Sequence, residues 1–180
     1  MRRFAFVPEK PVSTAAISPD GKHIAYVTGT GSESQLWIQD LDRIEPRKIP
    51  GAAGASDFYA SFWSPDSRSL GFGTAKELRT VSVIQGDPAT ICPLPDAAEY
   101  LGGTWNPDGE SIAFAQKTTV YEVSARGGTP KILIKMDPST RTEHVEMPHF
   151  LPGTGKKLVV TFKELGKPHT IGILSAGNSR

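Results

Sequence analysis

The chain has 180 residues, enough for one domain with a sizeable core, and its 20 Lys+Arg against 19 Asp+Glu leave a formal net charge of +1. That balance provides no global field to draw it to nucleic acid or to an anionic membrane surface, and no window approaches a membrane span. The 18 glycines and 15 prolines punctuate short apolar runs, and no stretch of ten residues keeps a clean 3.6-residue period, so the chain is expected to be all-β.

In chain order, the first segment is Met1-Arg2-Arg3-Phe4-Ala5-Phe6-Val7-Pro8. It has two basic residues but no apolar stretch of signal-peptide length, so no export address is expected from it. Within it, Arg3-Phe4-Ala5-Phe6-Val7 alternates like a strand. A strand pair follows, in which Ala16-Ile17 enters the turn Ser18-Pro19-Asp20-Gly21-Lys22 and His23-Ile24-Ala25-Tyr26-Val27 leaves it. In such a turn proline presets φ, the Asp side chain bonds the local backbone, and Gly tolerates φ > 0.

The arrangement returns at Phe62-Trp63-Ser64-Pro65-Asp66-Ser67 and at Thr104-Trp105-Asn106-Pro107-Asp108-Gly109. It returns more loosely at His149-Phe150-Leu151-Pro152-Gly153-Thr154-Gly155. The turn prolines Pro19, Pro65, Pro107 and Pro152 are 46, 42 and 45 residues apart, the period of a four-stranded sheet unit. Ser67 holds the glycine position of the second turn, which is expected to cost up to about 1 kcal/mol.

A second register agrees with the first. Leu36, Leu78 and Val120 head third strands 42 residues apart, each ten residues before a proline (Pro46, Pro88, Pro130). Most length variation then falls between the second and third strands of each unit, which places it on one face. The second strands, such as Leu70-Gly71-Phe72-Gly73 and Ile112-Ala113-Phe114-Ala115, are apolar or small at every position, as in strands covered on both faces.

The fold expected is therefore a β-propeller of about four four-stranded blades spanning roughly 14–50, 57–93, 100–135 and 145–175, the last without its fourth strand. Residues 3–7 are a candidate closing strand, able to latch the ring or to pair with a second copy, so that a homodimer would complete it. The residues singled out are structural turn positions: Pro19, Asp20, Gly21, Pro65, Asp66, Pro107, Asp108, Gly109, Pro152 and Gly153.

At Ser18-Pro19-Asp20-Gly21-Lys22 the chain resembles the WD40-like, TolB-type propeller repeat. Segments such as Gln35-Leu36-Trp37-Ile38, Val123-Ser124-Ala125-Arg126-Gly127-Gly128-Thr129-Pro130 and Pro148-His149-Phe150-Leu151-Pro152-Gly153 are similar to the propeller that follows the kinase domain in bacterial eukaryotic-like serine/threonine kinases. The resemblance spans about residues 3–175. It implies a sensor or interaction module, usually outside the cytoplasm, in proteins with more blades. The chain has no Gly-rich loop, His-Arg-Asp or Asp-Phe-Gly of a kinase, so the resemblance does not extend to phosphoryl transfer.

Chemical motifs are weak. Gly153-Thr154-Gly155-Lys156 has the ending of a phosphate loop, but Lys157 replaces the hydroxyl residue and the segment fills a hairpin turn. Glu143-His144-Val145-Glu146-Met147-Pro148-His149 holds the one cluster of metal-ligand types. Regular alternation there would place His144 and Glu146 on one strand face and His149 on the other, which points away from a shared metal. Cys92, between Ile91 and Pro93, is expected to be a buried, inert thiol. No catalytic residue, cofactor site or metal site is assigned.

The function expected is non-catalytic binding of a protein or small-molecule ligand, on a blade face or at the axis. Two other roles fit the same pattern: a substrate-gating propeller of a serine hydrolase system, and a truncated propeller fragment with no independent function.

Overall fold

The structure, a computed structural model, describes residues 8, 10–84, 86–95, 99–153 and 155–175; the candidate closing strand at residues 3–7 lies outside them. Four antiparallel sheets follow one another along the chain. The first contains β1 (Val12–Ile17), β2 (His23–Thr28), β3 (Gln35–Asp40) and β4 (Arg47–Lys48), and the second β5 (Phe62–Trp63), β6 (Ser69–Gly73), β7 (Glu77–Ser82) and β8 (Ala89–Pro93). The third contains β9 (Gly103–Trp105), β10 (Ser111–Gln116), β11 (Thr119–Ser124) and β12 (Lys131–Lys135), and the fourth β13 (Thr142–Phe150), β14 (Lys157–Glu164) and β15 (Thr170–Ser175).

Each sheet is a meander, and its first strand lies beside the first strand of the next, so β1, β5, β9 and β13 line the axis of a β-propeller. The fourth blade has three strands among the described residues.

The hairpin turns are built as their residues require. In the first, Ser18 Oγ donates to Asp20 Oδ1 (2.6 Å), which also accepts the Lys22 N–H (3.1 Å), while Gly21 sits at φ 70°. The second repeats this with Ser64, Asp66 and Arg68 (2.7 and 3.0 Å), and Ser67 takes φ 61°. In the third Asp108 accepts the Glu110 N–H (2.8 Å). The fourth lacks the aspartate; Leu151 N–H bonds Lys157 O (2.9 Å) across a turn one residue longer.

Blades stack by a simple size rule. On the face turned toward the preceding blade, the second strands present Ile24 and Tyr26, Leu70 and Phe72, Ile112 and Phe114, and Leu158 and Val160. On the opposite face the first three present Ala25 and Val27, Gly71 and Gly73, and Ala113 and Ala115. Large side chains of one blade thus press on small ones of the blade before it. Three buried clusters result, one at each junction of successive blades. Burying each of the Phe72 and Phe114 side chains contributes roughly 2 kcal/mol.

Hydrogen bonds cross the same junctions. Trp63 Nε1 donates to Ala16 O (3.1 Å), Gly128 N–H to Ile91 O (3.1 Å) and Met147 N–H to Leu101 O (2.8 Å).

The second strands of the second and third blades are covered on both sides, as their composition suggests, whereas Ile24 in the first is only half-buried. In β14, Leu158 and Val160 are buried but Val159 is only half-buried, because no blade follows it among the described residues.

Candidate functional site

Antiparallel meanders send every first hairpin turn to one rim of the propeller. The loops between second and third strands and the connectors between blades go to the other. The loops between second and third strands span residues 29–34, 74–76, 117–118 and 165–169, the unequal lengths expected from the turn-to-strand spacings.

The connector face carries a groove of about 1050 Å³ between the first three blades. Its floor and walls include Ala55, Asp57, Phe58, Lys76, Glu77 and Tyr100. A volume of this order suits a small ligand or a peptide loop. Phe58 is 75% exposed at its rim, on the connector of residues 49–61, and forms an apolar point of contact in a polar surround.

Several polar groups of the groove already serve the scaffold. Arg79 donates from its two terminal nitrogens to Gly51 O and Pro88 O, both at 2.9 Å, clamping the first connector to the outer edge of the second blade. Glu77 Oε2 accepts the Thr90 hydroxyl (2.9 Å), and Asp57 Oδ2 accepts the Gly31 N–H (3.2 Å). Lys76 and Glu99 are exposed charges of opposite sign along the groove. In a smaller depression of about 360 Å³ at the outer part of the third blade, Ser111 Oγ donates to Glu122 Oε1 (2.7 Å) and Glu110 pairs with Arg126 outside it (3.2 Å).

Beside the groove, toward the axis, Tyr59 meets Tyr100 edge-on with ring centroids 6.3 Å apart. Burial, then the neighbouring Glu146 and Glu99 carboxylates, push the Tyr59 phenol above the usual tyrosine range; burial alone does the same for Tyr100. Glu146 is buried, and His144 Nδ1 lies 3.4 Å from its Oε1.

The strand that carries Glu146 corrects the alternation expected from the sequence. A bulge between Glu146 and His149, with Met147 at φ 52°, adds a residue to the pleat. His144, Glu146 and His149 then stand opposite Lys163, Thr161 and Val159, on one face of the sheet. Even so, no group of three His, Cys, Asp or Glu side chains is arranged to hold a metal among the described residues.

The turn residues singled out from the sequence all lie on the far rim. Pro19, Asp20, Gly21, Pro65, Asp66, Pro107, Asp108, Gly109, Pro152 and Gly153 shape hairpins and take no part in the groove. Asp20 and Asp66 are held below the usual carboxylate range, chiefly by the hydroxyls of Ser18 and Ser64 and then by the backbone N–H groups of Lys22 and Arg68. Cys92 is buried, and desolvation raises its thiol to about 11, so little thiolate is present at neutral pH. Phe58, Tyr59, Lys76, Glu99 and Tyr100 were not legible as site residues. The available signal was the aromatic pair Phe58-Tyr59 inside a connector, where polar residues are the rule.

No family model matches the chain. Among solved structures it is similar to TolB from Acinetobacter baumannii (TM-score 0.71, 20% identity, covering 93% of this chain and 41% of that one). It is also similar to Kuenenia stuttgartiensis hydrazine synthase (TM-score 0.71, 14% identity, 95% and 49%). A third likeness is to a chain of a nidogen/laminin complex (TM-score 0.68, 11% identity, 96% and 68%). The chain spans about half the length of the first two. At these identities what is shared is the fold, and that fold is a β-propeller of the kind found in TolB.

Proposed function

We propose that this chain is a non-catalytic binding propeller that takes a peptide or protein loop in the groove on its connector face. The observation that carries this is Phe58, an aromatic side chain held 75% exposed at the rim of a groove of about 1050 Å³. Exposing it costs solvation free energy and contributes nothing to the core, whereas an aromatic anchor beside a rigid groove is how protein contacts concentrate affinity. The two exposed charges, Lys76 and Glu99, add a means of orienting a partner. The nidogen/laminin likeness supports the reading, since that propeller was solved in a protein–protein complex. A sensor role of the kind implied by the resemblance to kinase-linked propellers is the form of binding function proposed.

A random-peptide display selection against the immobilised chain tests the proposal. Selected peptides are expected to lose affinity at least tenfold on Phe58→Ser, with the thermal midpoint unchanged because the side chain is exposed. Peptides that bind Phe58→Ser as well as the parent, or turnover of a substrate by the purified chain, would overturn it.

A further inference from the structure

The groove between the first three blades carries charges that the scaffold does not consume. Of the charged residues lining it, Asp57, Glu77 and Glu99 are acidic and Lys76 and Arg79 basic. Arg79 and Glu77 are committed to the fold. Both terminal nitrogens of Arg79 hold backbone carbonyls, its Nε lies 3.8 Å from Glu77 Oε2, and the same oxygen accepts the Thr90 hydroxyl. What remains is Asp57 and Glu99 against Lys76, and none of the three has an ion-pair partner among the described residues. Glu33, exposed beside the lining residues Gly31 and Ser32, adds a further carboxylate. The chain as a whole carries +1, so this acidic surplus is local.

The surplus gathers at the exposed aromatic. Asp57 precedes Phe58 in the first connector, and its Oδ2 is held by the Gly31 N–H at 3.2 Å. Glu99 arrives on the connector that follows β8. It lies close enough to Tyr59, the residue after Phe58, to raise that phenol together with burial and Glu146. Lys76 stands apart from both, on the loop between β6 and β7. The rest of the lining includes Ala53, Ala55 and Ala75, whose small side chains leave room for one from a partner. Phe58, 75% exposed at the rim, flanks a bound segment; a small molecule needs most of its surface enclosed.

We infer that the segment taken by this groove is basic and apolar together: an apolar side chain packs on Phe58, and a lysine or arginine beside it meets Asp57 and Glu99. This rests on the binding role proposed above and adds the partner's chemistry to it. Lys76 is the repulsive counterpart, turning the basic end of the segment away from the second blade's loop and so fixing its direction. Charges around an interface act chiefly on approach and on choice of partner, so an acidic segment of equal apolar content is rejected.

Peptides recovered by display on the full chain are the probes, sequenced and then titrated singly by fluorescence anisotropy. Those that depend on Phe58 are expected to carry Lys or Arg, in excess of Asp or Glu, close to an apolar residue. Glu99→Lys is expected to weaken their binding about tenfold and Lys76→Glu to tighten it about threefold. Both residues are exposed, so circular dichroism should not change. Opposite signs from two surface substitutions separate a charge effect from loss of fold. Phe58-dependent peptides without the basic excess, or with affinities unmoved by either charge reversal, would overturn this inference and leave the binding role of the groove standing. A selection whose peptides are all indifferent to Phe58→Ser would remove both.

Discussion

Ser67 shows how a residue that breaks a local rule can be retained. It holds a glycine position at φ 61°, a conformation that strains an L side chain, and the sequence suggested only a cost there. The structure adds a compensation: its hydroxyl oxygen accepts the Asp20 N–H at 3.1 Å, a bond between the first turns of two different blades. A net hydrogen bond and the relief of this strain are each worth about 1 kcal/mol. Ser67→Gly exchanges one for the other and is expected to leave stability within about 0.5 kcal/mol of the parent. Ser67→Ala loses the bond and keeps the strain, so its urea midpoint should fall by the equivalent of about 1 kcal/mol. A stabilised Ser67→Gly would show that the inter-blade bond contributes nothing.

At the level of the strand, the second blade departs from its neighbours by using glycine twice on its following face. A Cβ at Gly71 would collide with the Phe62 ring, and one at Gly73 with the Tyr100 ring. Aromatic rings from β5 and from the next connector thus occupy space that Ala113 and Ala115 fill for themselves in the third blade. Gly71→Ala is expected to destabilise by about 1–3 kcal/mol through overpacking. Adding Phe62→Leu should recover part of that loss in a double-mutant cycle of denaturant melts. Strict additivity of the two substitutions would show that the ring and the glycine are not packed as a unit.

Across the whole molecule, Tyr59 links distant parts. It leaves the connector between the first two blades, packs against the clusters on both sides of the third blade, and meets Glu146 of the fourth. Its phenol is raised above the ordinary value of 10.0 in the folded chain, by burial and then by the nearby carboxylates. The unfolded chain therefore releases this proton near pH 10 while the folded chain retains it. The contribution to stability is fully present below pH 10 and is lost as the pH rises above it. Thermal midpoints should fall above pH 10, and Tyr59→Phe should make that fall shallower; Tyr26 and Tyr100, also raised by burial, keep it from vanishing. An identical alkaline slope in the variant would disprove the role assigned to Tyr59.

The sequence by itself determined the repeat. Pro-Asp-Gly turns, apolar second strands and a 42–46-residue spacing are local features, read by the backbone within a few residues, and they carry blade number, strand order and the rim on which loop length varies. Only the tertiary structure decided which side chains meet. Phe58, Lys76 and Tyr100 come from separate connectors and loops, and their convergence into one groove depends on the stacking of the blades. The bulge at Met147, which brings His149 to the face of Glu146, likewise arises from pairing with β14. Period and turn chemistry are set by neighbours along the chain; a site is set by neighbours in space.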